Sequence, residues 1–405
     1  MSKTPKLRFK EFSGDWESKK LGDLGDVTKL AGFEFTNHVE YSDTGEIIAL
    51  RGLNVKNGKL ILDDVKYIDN SDFSKLNRSK LFIDDLLFTY VGTVGETALI
   101  DKNDKYYLAP NVSRIRFDLN ESNSKFMHYN ISRSEYFNKV IQPSIATSSQ
   151  PALSMENIRK LNINIPSKEE QEKIASFFSL IDDKISLQGE KMKMLKDYKT
   201  GMMQKIFSRE LRFKDDEDRD YPQWEEKKFK DFTKINQGLQ IPISERYTTE
   251  GENRYFYITN EFLKSDSETK YYIENPSESV ICYEDDILMT RTGNTGKVVT
   301  GVKGAFHNNF FKIAYDKEKY DRMFLYYILT SHKMQKNIIR LAGSSTIPDL
   351  NHSDFYNIKV KLPIIEEQKK IADLLIRLDS KISKEQEKLD SLNEYKKGLL
   401  QQMFV

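Results

Sequence analysis

Polar, glycine-containing loops are the parts of this 405-residue chain whose residue types suit contacts with nucleic-acid bases and phosphates. Arginine and lysine suit guanine and phosphate, asparagine and glutamine suit adenine, and serine and threonine suit either. The loops begin near residues 51, 89 and 146 in the first half and near 290 and 343 in the second. From position and chemistry, we select as candidate DNA-contacting residues Arg51, Asn54, Thr89, Tyr90, Thr93, Ser148 and Gln150, and in the second half Arg291, Thr292, Asn294, Lys297, Ser344, Ser345 and Thr346.

The same loops have an ordinary structural interpretation. Gly293-Asn294-Thr295-Gly296 has the composition of a tight turn. Residues 293–297 also lack the spacing of a P-loop, which needs four residues between its first glycine and Gly-Lys-Ser/Thr. Both interpretations, turn and ligand site, stay open at this level.

Motifs for catalysis and for metal binding are missing from the sequence. No Gly-x-Gly-x-x-Gly follows a strand-like run, and no Asn-Pro-Pro-Tyr-type segment of an adenine methyltransferase is present. The five histidines have no metal-ligand spacing, and the carboxylates are not clustered. The single cysteine, Cys282, lies in an apolar run and is interpreted as a strand or core residue. These absences favour a binding protein over an enzyme.

The chain contains the same segment twice. Residues 161–207 align with residues 358–404 at an offset of 197 without a gap, and roughly 19 of the 47 positions are identical. Weaker matches lie upstream, including Leu7-Arg8-Phe9-Lys10 with Leu211-Arg212-Phe213-Lys214. A period this long indicates a duplicated half-protein rather than a solenoid, whose repeats recur every 20–50 residues. Two copies with dissimilar loops predict one architecture that recognises two different things, although neutral drift after an old duplication is the alternative.

Each copy of the repeat predicts a short strand, a proline and then a long helix. Alternating apolar residues end at Pro166 and at Pro363, and a 4-3 spaced apolar seam follows each. Both seams are interrupted at equivalent positions, by Gln188 and Glu385 and by the Lys199/Lys396 pair. We expect the helices to pair antiparallel, so that Gln188 and Glu385 meet; the alternative is that each helix packs on another chain and the polar breaks face solvent. The predicted coiled-coil seam includes Ile174, Ile181, Ile185, Gln188 and Leu195, and Ile371, Leu378, Ile382, Glu385 and Leu392.

Composition sets the broad class. The net charge of +1 does not by itself indicate a nucleic-acid binder, so positive charge would have to be segregated onto one face or supplied by a partner. No apolar run is long enough to cross a membrane, and the N-terminus lacks the apolar core of a signal peptide. We therefore expect no membrane partner, and because the single cysteine leaves no intrachain disulfide framework we expect a cytoplasmic protein.

The order of these motifs resembles the specificity subunit of type I restriction–modification systems. The resemblance rests on Ser149-Gln150-Pro151-Ala152-Leu153, Ile165-Pro166, Glu170-Gln171 and a heptad helix, repeated as Pro348-Asp349-Leu350, Leu362-Pro363, Glu367-Gln368 and a second helix. It implies an α/β (α+β) fold, in which two pseudo-symmetric mixed α/β target recognition domains are joined by two long helices in an antiparallel coiled coil. The implied segments are recognition domains at 1–160 and 211–357 and helical conserved regions at 161–210 and 358–405.

The resemblance also implies a function and its partners. Such a subunit is not catalytic; each recognition domain reads one half of a split, asymmetric site in double-stranded DNA. Two modification subunits then methylate adenine N6 from S-adenosylmethionine, and two restriction subunits translocate and cut DNA with ATP and Mg. We expect no cofactor on this chain itself. Base-reading residues do not carry over, because recognition domains vary within the family. An autonomous DNA-modifying enzyme and a coiled-coil scaffold without a DNA role are the alternatives.

Overall fold

The computed structural model describes residues 4–145, 151–264, 269–343 and 348–405. The chain forms two compact units. The first comprises Met1–Gly189 with Lys388–Val405, and the second comprises Glu190–Glu387. Each unit therefore contains a part of both long helices. The four segments expected from the sequence run consecutively along the chain, and their boundaries stay a prediction.

The first unit contains small antiparallel and mixed sheets. Its strands are β1 (Glu17–Lys20), β2 (Gly25–Lys29), β3 (Ile48–Leu50), β4 (Val55–Lys56), β5 (Lys59–Leu60), β6 (Lys66–Tyr67), β7 (Leu86–Thr89), β8 (Thr97–Leu99), β9 (Tyr106–Leu108), β10 (Val112–Phe117) and β11 (Asn162–Ile165). An antiparallel sheet has the order β2-β10-β7-β8, and a second sheet has the order β6-β3-β9 with β3 and β9 parallel. Strand β1 pairs antiparallel with β11, which precedes the first long helix.

Among its described residues, the first unit contains five short α-helices and the first part of a long one. They are α1 (Leu21–Leu24), α2 (Gly32–His38), α3 (Ser124–Ile131), α4 (Ser134–Tyr136), α5 (Met155–Lys160) and the first part of α6 (Lys168–Ser208). Side chains cap several of them: the Asn123 side chain accepts from the backbone N–H of Phe126 at 3.0 Å, as an N-cap does. The 41 residues of α6 correspond to a length of about 60 Å.

The second unit repeats this plan with different lengths. Its strands and helices are β12 (Glu225–Lys228), β13 (Thr233–Gln237), β14 (Arg254–Ile258), β15 (Tyr272–Glu274), β16 (Ile281–Cys282), β17 (Ile287–Thr290), β18 (Val298–Val299), β19 (Gly304–Phe306), β20 (Phe310–Tyr315), β21 (Lys359–Leu362), α7 (Arg322–Thr330), α8 (His332–Ala342), α9 (His352–Asn357) and α10 (Ile365–Met403). The sheet β13-β20-β17-β18 corresponds to β2-β10-β7-β8, and the parallel pair of β14 and β19 corresponds to β3 and β9. The mixed α/β fold expected from the sequence is confirmed.

Equivalent ends of the two long helices complete the two cores. In the first unit Phe404 follows α10 and packs 6.0 Å from the Trp16 ring and 5.3 Å from the Phe126 ring. In the second unit Phe207 of α6 packs 6.0 Å from Phe324, which itself lies 6.0 Å from Trp224. Each unit therefore takes the start of one long helix and the end of the other into its core.

In the second unit the two long helices run antiparallel to each other, as expected. In the second unit Lys191 pairs with Glu385 at 3.0 Å and Lys199 with Asp379 at 2.5 Å, so residue numbers rise on α6 while they fall on α10. Every predicted seam position is buried or half-buried. Glu385, 6% exposed, is neutralised by Lys191. Gln188 belongs to the first unit, and its meeting with Glu385 stays a prediction.

His128 gives the first unit a predicted sensitivity to acid. Burial lowers the pKa of this imidazole from 6.5 to about 4, and its Nδ1 lies 3.2 Å from the Thr97 hydroxyl. The unfolded chain gains a proton near pH 6.5 and the folded unit only near pH 4. Stability from this group is therefore complete above pH 6.5 and falls by about 3 kcal/mol as the pH drops to about 4. Urea unfolding followed by Trp16 fluorescence in a Trp224→Phe background measures this loss.

His128→Asn is the matched variant for that measurement, because the amide keeps a polar group near Thr97 without titrating between pH 4 and 7. We expect the variant to show a shallower fall in the free energy of unfolding over this range. Parallel curves for the two proteins would contradict the assignment.

Candidate nucleic-acid interface

A pair of equivalent turns lies at the end of a central strand in each unit. In the second unit the Thr290 hydroxyl donates to the Asn294 carbonyl at 2.6 Å and accepts from the Lys297 N–H at 2.9 Å. In the first unit the Thr89 hydroxyl donates to the Thr93 carbonyl and accepts from the Glu96 N–H at 2.9 Å. The threonine closes each turn from inside, and the residues whose carbonyls accept from it, Thr93 and Asn294, are exposed.

Glycine is required at the far end of both turns. Gly95 and Gly296 have φ values of +93° and +88°, which L side chains rarely adopt. A Cβ on Gly95 would lie 2.9 Å from the Phe137 ring, and one on Gly296 would lie 3.1 Å from Ile338. The helical segments following α3 and α7 therefore support the turns by close packing.

The duplicated Pro-x-Leu motif fastens each turn to the chain that follows the third polar loop. In the first unit the Leu153 N–H donates to the Tyr90 carbonyl at 2.8 Å, and the Gly92 N–H donates to Pro151 at 3.0 Å. In the second unit the Leu350 N–H donates to the Arg291 carbonyl at 2.9 Å. The motif therefore fixes the described chain that follows residues 150 and 347 to the turn of the same unit.

In the first unit a cleft of about 460 Å³ brings predicted residues from two loops together. Arg51, Thr89 and Thr93 all line it, with Tyr41 on the same cleft. Thr93 is exposed, and Arg51 is half-buried with its Nη2 2.9 Å from Asp64 Oδ1. An arginine has five N–H donors, so donors remain on Arg51 for a ligand.

Two of the predicted contacts are better explained as internal supports. Asn54 is 0% exposed and its amide donates to the Ile61 and Asp64 carbonyls at 2.8 and 2.7 Å. Thr89 is 1% exposed because its hydroxyl closes the turn. A buried, fully engaged side chain cannot reach a base edge, so these residues shape the loops that carry Arg51 and Thr93. Tyr90 is half-buried, with Lys29 Nζ 5.4 Å from its ring centre.

The second unit presents a different set of side chains at the equivalent turn. Asn294 and Lys297 are exposed. Arg291 makes a bidentate ion pair with Asp349 at 3.0 and 2.7 Å, and this carboxylate raises the pKa of the guanidinium. The Thr292 carbonyl accepts from the Asn260 amide at 3.3 Å. The remaining predicted residues lie outside the described residues; they are Ser148, Gln150, Ser344, Ser345 and Thr346.

The polar breaks at Lys199 and Lys396 have partners that sequence reasoning did not identify. In the first unit Lys396 Nζ lies 2.5 Å from Asp182 Oδ1 and 5.2 Å from the Tyr129 ring, and the Tyr129 hydroxyl donates to Asp182 Oδ2 at 2.7 Å. Burial, together with Asp182, raises the pKa of Tyr129. This Lys-Asp-Tyr triad joins both long helices to helix α3 of the recognition domain.

An equivalent Lys-Asp-Tyr triad is present in the second unit. Lys199 lies 2.5 Å from Asp379, and the Tyr327 hydroxyl donates to the same carboxylate at 2.6 Å. The aspartates keep the 197-residue offset, but Tyr129 and Tyr327 are 198 residues apart. That one-residue shift concealed the tyrosines from a fixed-offset comparison.

Removal of the triad hydroxyl should loosen the second recognition domain. Tyr327→Phe loses a hydrogen bond to a carboxylate, and we expect the free energy of unfolding of the second unit to fall by about 1 kcal/mol. Trp224 fluorescence in a Trp16→Phe background reports this transition. Tyr326→Phe is the matched control, because within the described chain the neighbouring hydroxyl has no hydrogen bond. Equal effects of the two substitutions would refute a role for the triad.

The Glu-Gln motif performs the same two tasks in both units. Glu170 accepts two hydrogen bonds from Arg8 at 2.8 and 2.7 Å. Gln171 accepts from the backbone N–H of Asn123, at the start of α3, at 3.0 Å. Glu367 and Gln368 bind Arg212 and the N–H of Asp321 in the same way. The motif therefore joins each long helix to the upstream Leu-Arg-Phe-Lys segment and to a domain helix.

Other kinds of site are not found in the described ranges. His, Cys, Asp and Glu do not gather there into a group that could hold a metal ion. Among the helices formed by these residues, none combines the length and apolarity that a bilayer crossing requires. Cys282 is buried in β16, as expected, and burial raises the pKa of its thiol to about 12.

Two units share one mixed α/β plan, differ in their exposed loops and each include parts of both long helices, so the chain is a duplicated protein. The model of the type I restriction modification DNA specificity domain matches residues 13–197 and again residues 221–394. The chain therefore belongs to the family of type I restriction–modification specificity subunits. Each matched segment covers most of the α/β part of one unit and most of one long helix.

Curated relatives agree with this assignment over the full length of the chain. A protein of Methanocaldococcus jannaschii, provisionally named the type I restriction enzyme MjaX specificity subunit, is 25% identical over 98% of this chain and 94% of its own length. The MjaVIII specificity subunit of the same organism is 22% identical over 97% of this chain and 94% of its own length.

A solved structure shares the fold. The S subunit of a type I restriction–modification system from M. genitalium has a TM-score of 0.61 at 17% identity and covers 99% of both chains. At this identity the likeness concerns the fold alone.

Proposed function

We propose that this chain reads a bipartite, asymmetric site in double-stranded DNA, with one recognition domain on each half. It directs adenine-N6 methylation by two modification subunits and restriction by two restriction subunits. The chain itself is not catalytic. S-adenosylmethionine, ATP and Mg are used by the partner subunits, and this chain binds none of them.

The observation that supports this proposal most strongly is that the two units share one turn but expose different side chains on it. Both turns are closed by a buried threonine, Thr89 or Thr290, and end at a glycine with positive φ. Between these fixed points the exposed side chain is that of Thr93 in the first unit, beside the exposed Gly92, and that of Asn294 in the second. A scaffold that holds different donors and acceptors in one place suits recognition of two different base sequences.

Contacts between each recognition domain and the long helices support the proposal that the helices position the domains. Each domain is fixed to them by a Lys-Asp-Tyr triad, a Glu-Arg ion pair and an aromatic residue at the end of the other helix. Contacts of this number fix orientation, which base recognition requires. The family membership makes modification subunits the natural source of methyl transfer.

A methyl-transfer assay separates this function from its alternatives. Labelled S-adenosylmethionine and duplex DNA are incubated with this chain, with a cognate modification subunit, and with both. We expect N6-methyladenine only in the combined sample. Activity of this chain alone would establish an autonomous enzyme. Equal activity of the modification subunit with and without this chain would favour a scaffold without a DNA role.

The long helices are predicted to set the gap between the two half-sites. Insertion of one heptad into both α6 and α10 keeps the apolar seam in phase and lengthens each helix by about 10 Å. We expect a wider gap with both half-motifs unchanged, read by mapping methylated adenines. Insertion of a heptad of the same length into one helix alone is the control, since it breaks the pairing of the seams. An unchanged gap with both insertions would refute the idea.

A further inference from the structure

A strongly basic groove in the second unit is separate from the loops that carry the candidate DNA-contacting residues, which we call the reading loops. Its volume is about 690 Å³, and it lies among the end of α6, helix α8 and strand β21. Six cationic side chains line it: Arg209, Lys333, Lys336, Arg340, Lys359 and Lys361. Glu226, which pairs with Lys359 at 2.9 Å, is the only acidic residue among the described residues that line it. We call this feature the basic groove.

The equivalent surface of the first unit lacks most of this charge. At the 197-residue offset, Lys359 and Lys361 correspond to Asn162 and Asn164. By the 198-residue spacing of Tyr129 and Tyr327 in the preceding helices, Lys333, Lys336 and Arg340 correspond to Glu135, Asn138 and Gln142, none of which is basic. The scaffold therefore folds without these cations, and their presence in one copy indicates a binding role rather than a structural one.

The floor of the basic groove offers no exposed apolar anchor for a partner helix. Ile328, Met334 and Val360 are only 5%, 8% and 5% exposed. Phe207 is packed against Phe324 at 6.0 Å. Docking of an amphipathic segment needs exposed apolar pockets. The exposed side chains that line this groove are instead charged or polar. This favours a polyanion as the ligand.

The arrangement of the cations matches a phosphate backbone. Lys333, Lys336 and Arg340 are spaced by three and four residues, so they form one row along about 10 Å of α8. Lys359 and Lys361 are alternate residues on the exposed face of β21, about 7 Å apart. Duplex DNA carries one phosphate per strand for about every 3.4 Å of its axis. Two rows of this length can each meet several phosphates.

Helix α8 connects the basic groove to the predicted reading loops. The Gln335 side chain donates to the Gly296 carbonyl, at the end of the turn, at 2.9 Å. The helix ends at Ala342, two residues before the predicted contact residue Ser344. DNA held by that turn would therefore pass close to the helix that carries the row of cations.

We propose that the basic groove binds the phosphate backbone of duplex DNA beside the half-site that the second recognition domain reads. This inference rests on the proposed function. Backbone contacts carry no base information, so the groove contributes affinity and salt dependence to binding without changing the recognised sequence. The first recognition domain, whose equivalent surface carries fewer cations, contributes less of the salt dependence.

The test uses the complex of the full chain with its modification subunit and a duplex that carries the mapped site. Lys359→Asn/Lys361→Asn installs the residues of the first copy and so preserves the fold. For each complex, the logarithm of the binding constant is plotted against the logarithm of salt concentration. We expect the slope to become shallower by about 2, because each lost phosphate contact removes about 0.9. The methylated motif stays unchanged.

Lys230→Asn/Lys234→Asn is the matched control, since both lysines are exposed on the same unit outside the groove. Lys333→Gln/Lys336→Gln/Arg340→Gln is an independent second variant, for which we expect a slope change of about 3. Slopes equal to wild type in both groove variants would overturn the inference, as would a loss of modification-subunit binding with an unchanged slope. If the wild-type complex methylates no split motif, the proposed function itself fails.

Discussion

Exchange of residues 1–160 for the equivalent segment of another family member should change one half of the methylated motif and leave the other half intact. The reason is that the candidate contacts of each half lie within one unit. Arg51 and Thr93 share the cleft of the first unit, and Asn294 and Lys297 belong to the second. Because each half-motif is read separately, the expected effect is complete replacement of one half. Mapping of N6-methyladenine in cells that express the chimera measures it.

The incoming segment must reproduce the contacts that fasten it to the helices. It needs an arginine for Glu170, a tryptophan against Phe404 and a tyrosine for Asp182, as Arg8, Trp16 and Tyr129 provide here. A donor without these residues is the control for failure of assembly. Exchange of residues 211–357 is the reciprocal experiment and should change the other half only. Simultaneous change of both halves in either chimera would show that the domains do not read independently.

Arg212→Ala should destabilise the second unit by about 3 kcal/mol. Glu367 is 0% exposed and accepts hydrogen bonds from Arg212 at 3.2 and 2.7 Å and from the Trp224 indole N–H at 3.0 Å. Removal of the arginine leaves a buried carboxylate without its counter-charge, which costs about 3–5 kcal/mol. The lower figure applies because the Arg212 side chain is 20% exposed and water can partly replace it.

The two tryptophans make this measurement specific to one unit. Trp16 and Trp224 are the only tryptophans in the chain, and each lies in a different core. Urea unfolding of Arg212→Ala in a Trp16→Phe background follows the second unit. Arg212→Met/Glu367→Gln removes both charges and keeps a carbonyl oxygen that can accept from the Trp224 indole N–H, so it should recover most of the loss. A loss below about 0.5 kcal/mol for Arg212→Ala, or no recovery in the double variant, would contradict the role given to this ion pair.

The architecture could be predicted from the sequence because the same order of motifs occurs twice in the chain. The strand, proline, Glu-Gln and heptad order recurs at a fixed offset, and periodic apolar spacing predicts the helices that form α6 and α10. Even the polar interruptions at Lys199 and Lys396 were visible in the seam. What they bind was not, because Tyr129 and Tyr327 come from separate helices that reach the seam only through tertiary packing.

The candidate site was less accessible, for a physical reason. A polar residue in a loop can face the ligand or support the loop from inside, and residue type does not distinguish these states. Asn54 and Thr89 are internal, whereas Thr93 and Asn294 are exposed. The basic groove was hidden for a related reason. Its cations come from three separate stretches of a chain whose net charge is only +1, so composition could not reveal their convergence.

The most direct test of the central claim, that this chain confers recognition of a split DNA site, is genome-wide mapping of N6-methyladenine by long-read sequencing. The host expresses a cognate modification subunit with and without this chain. The account predicts one asymmetric motif, with two defined halves and a fixed gap, that is methylated only when this chain is present. Absence of any new methylation, with an assembled complex that contains an active modification subunit, would contradict it.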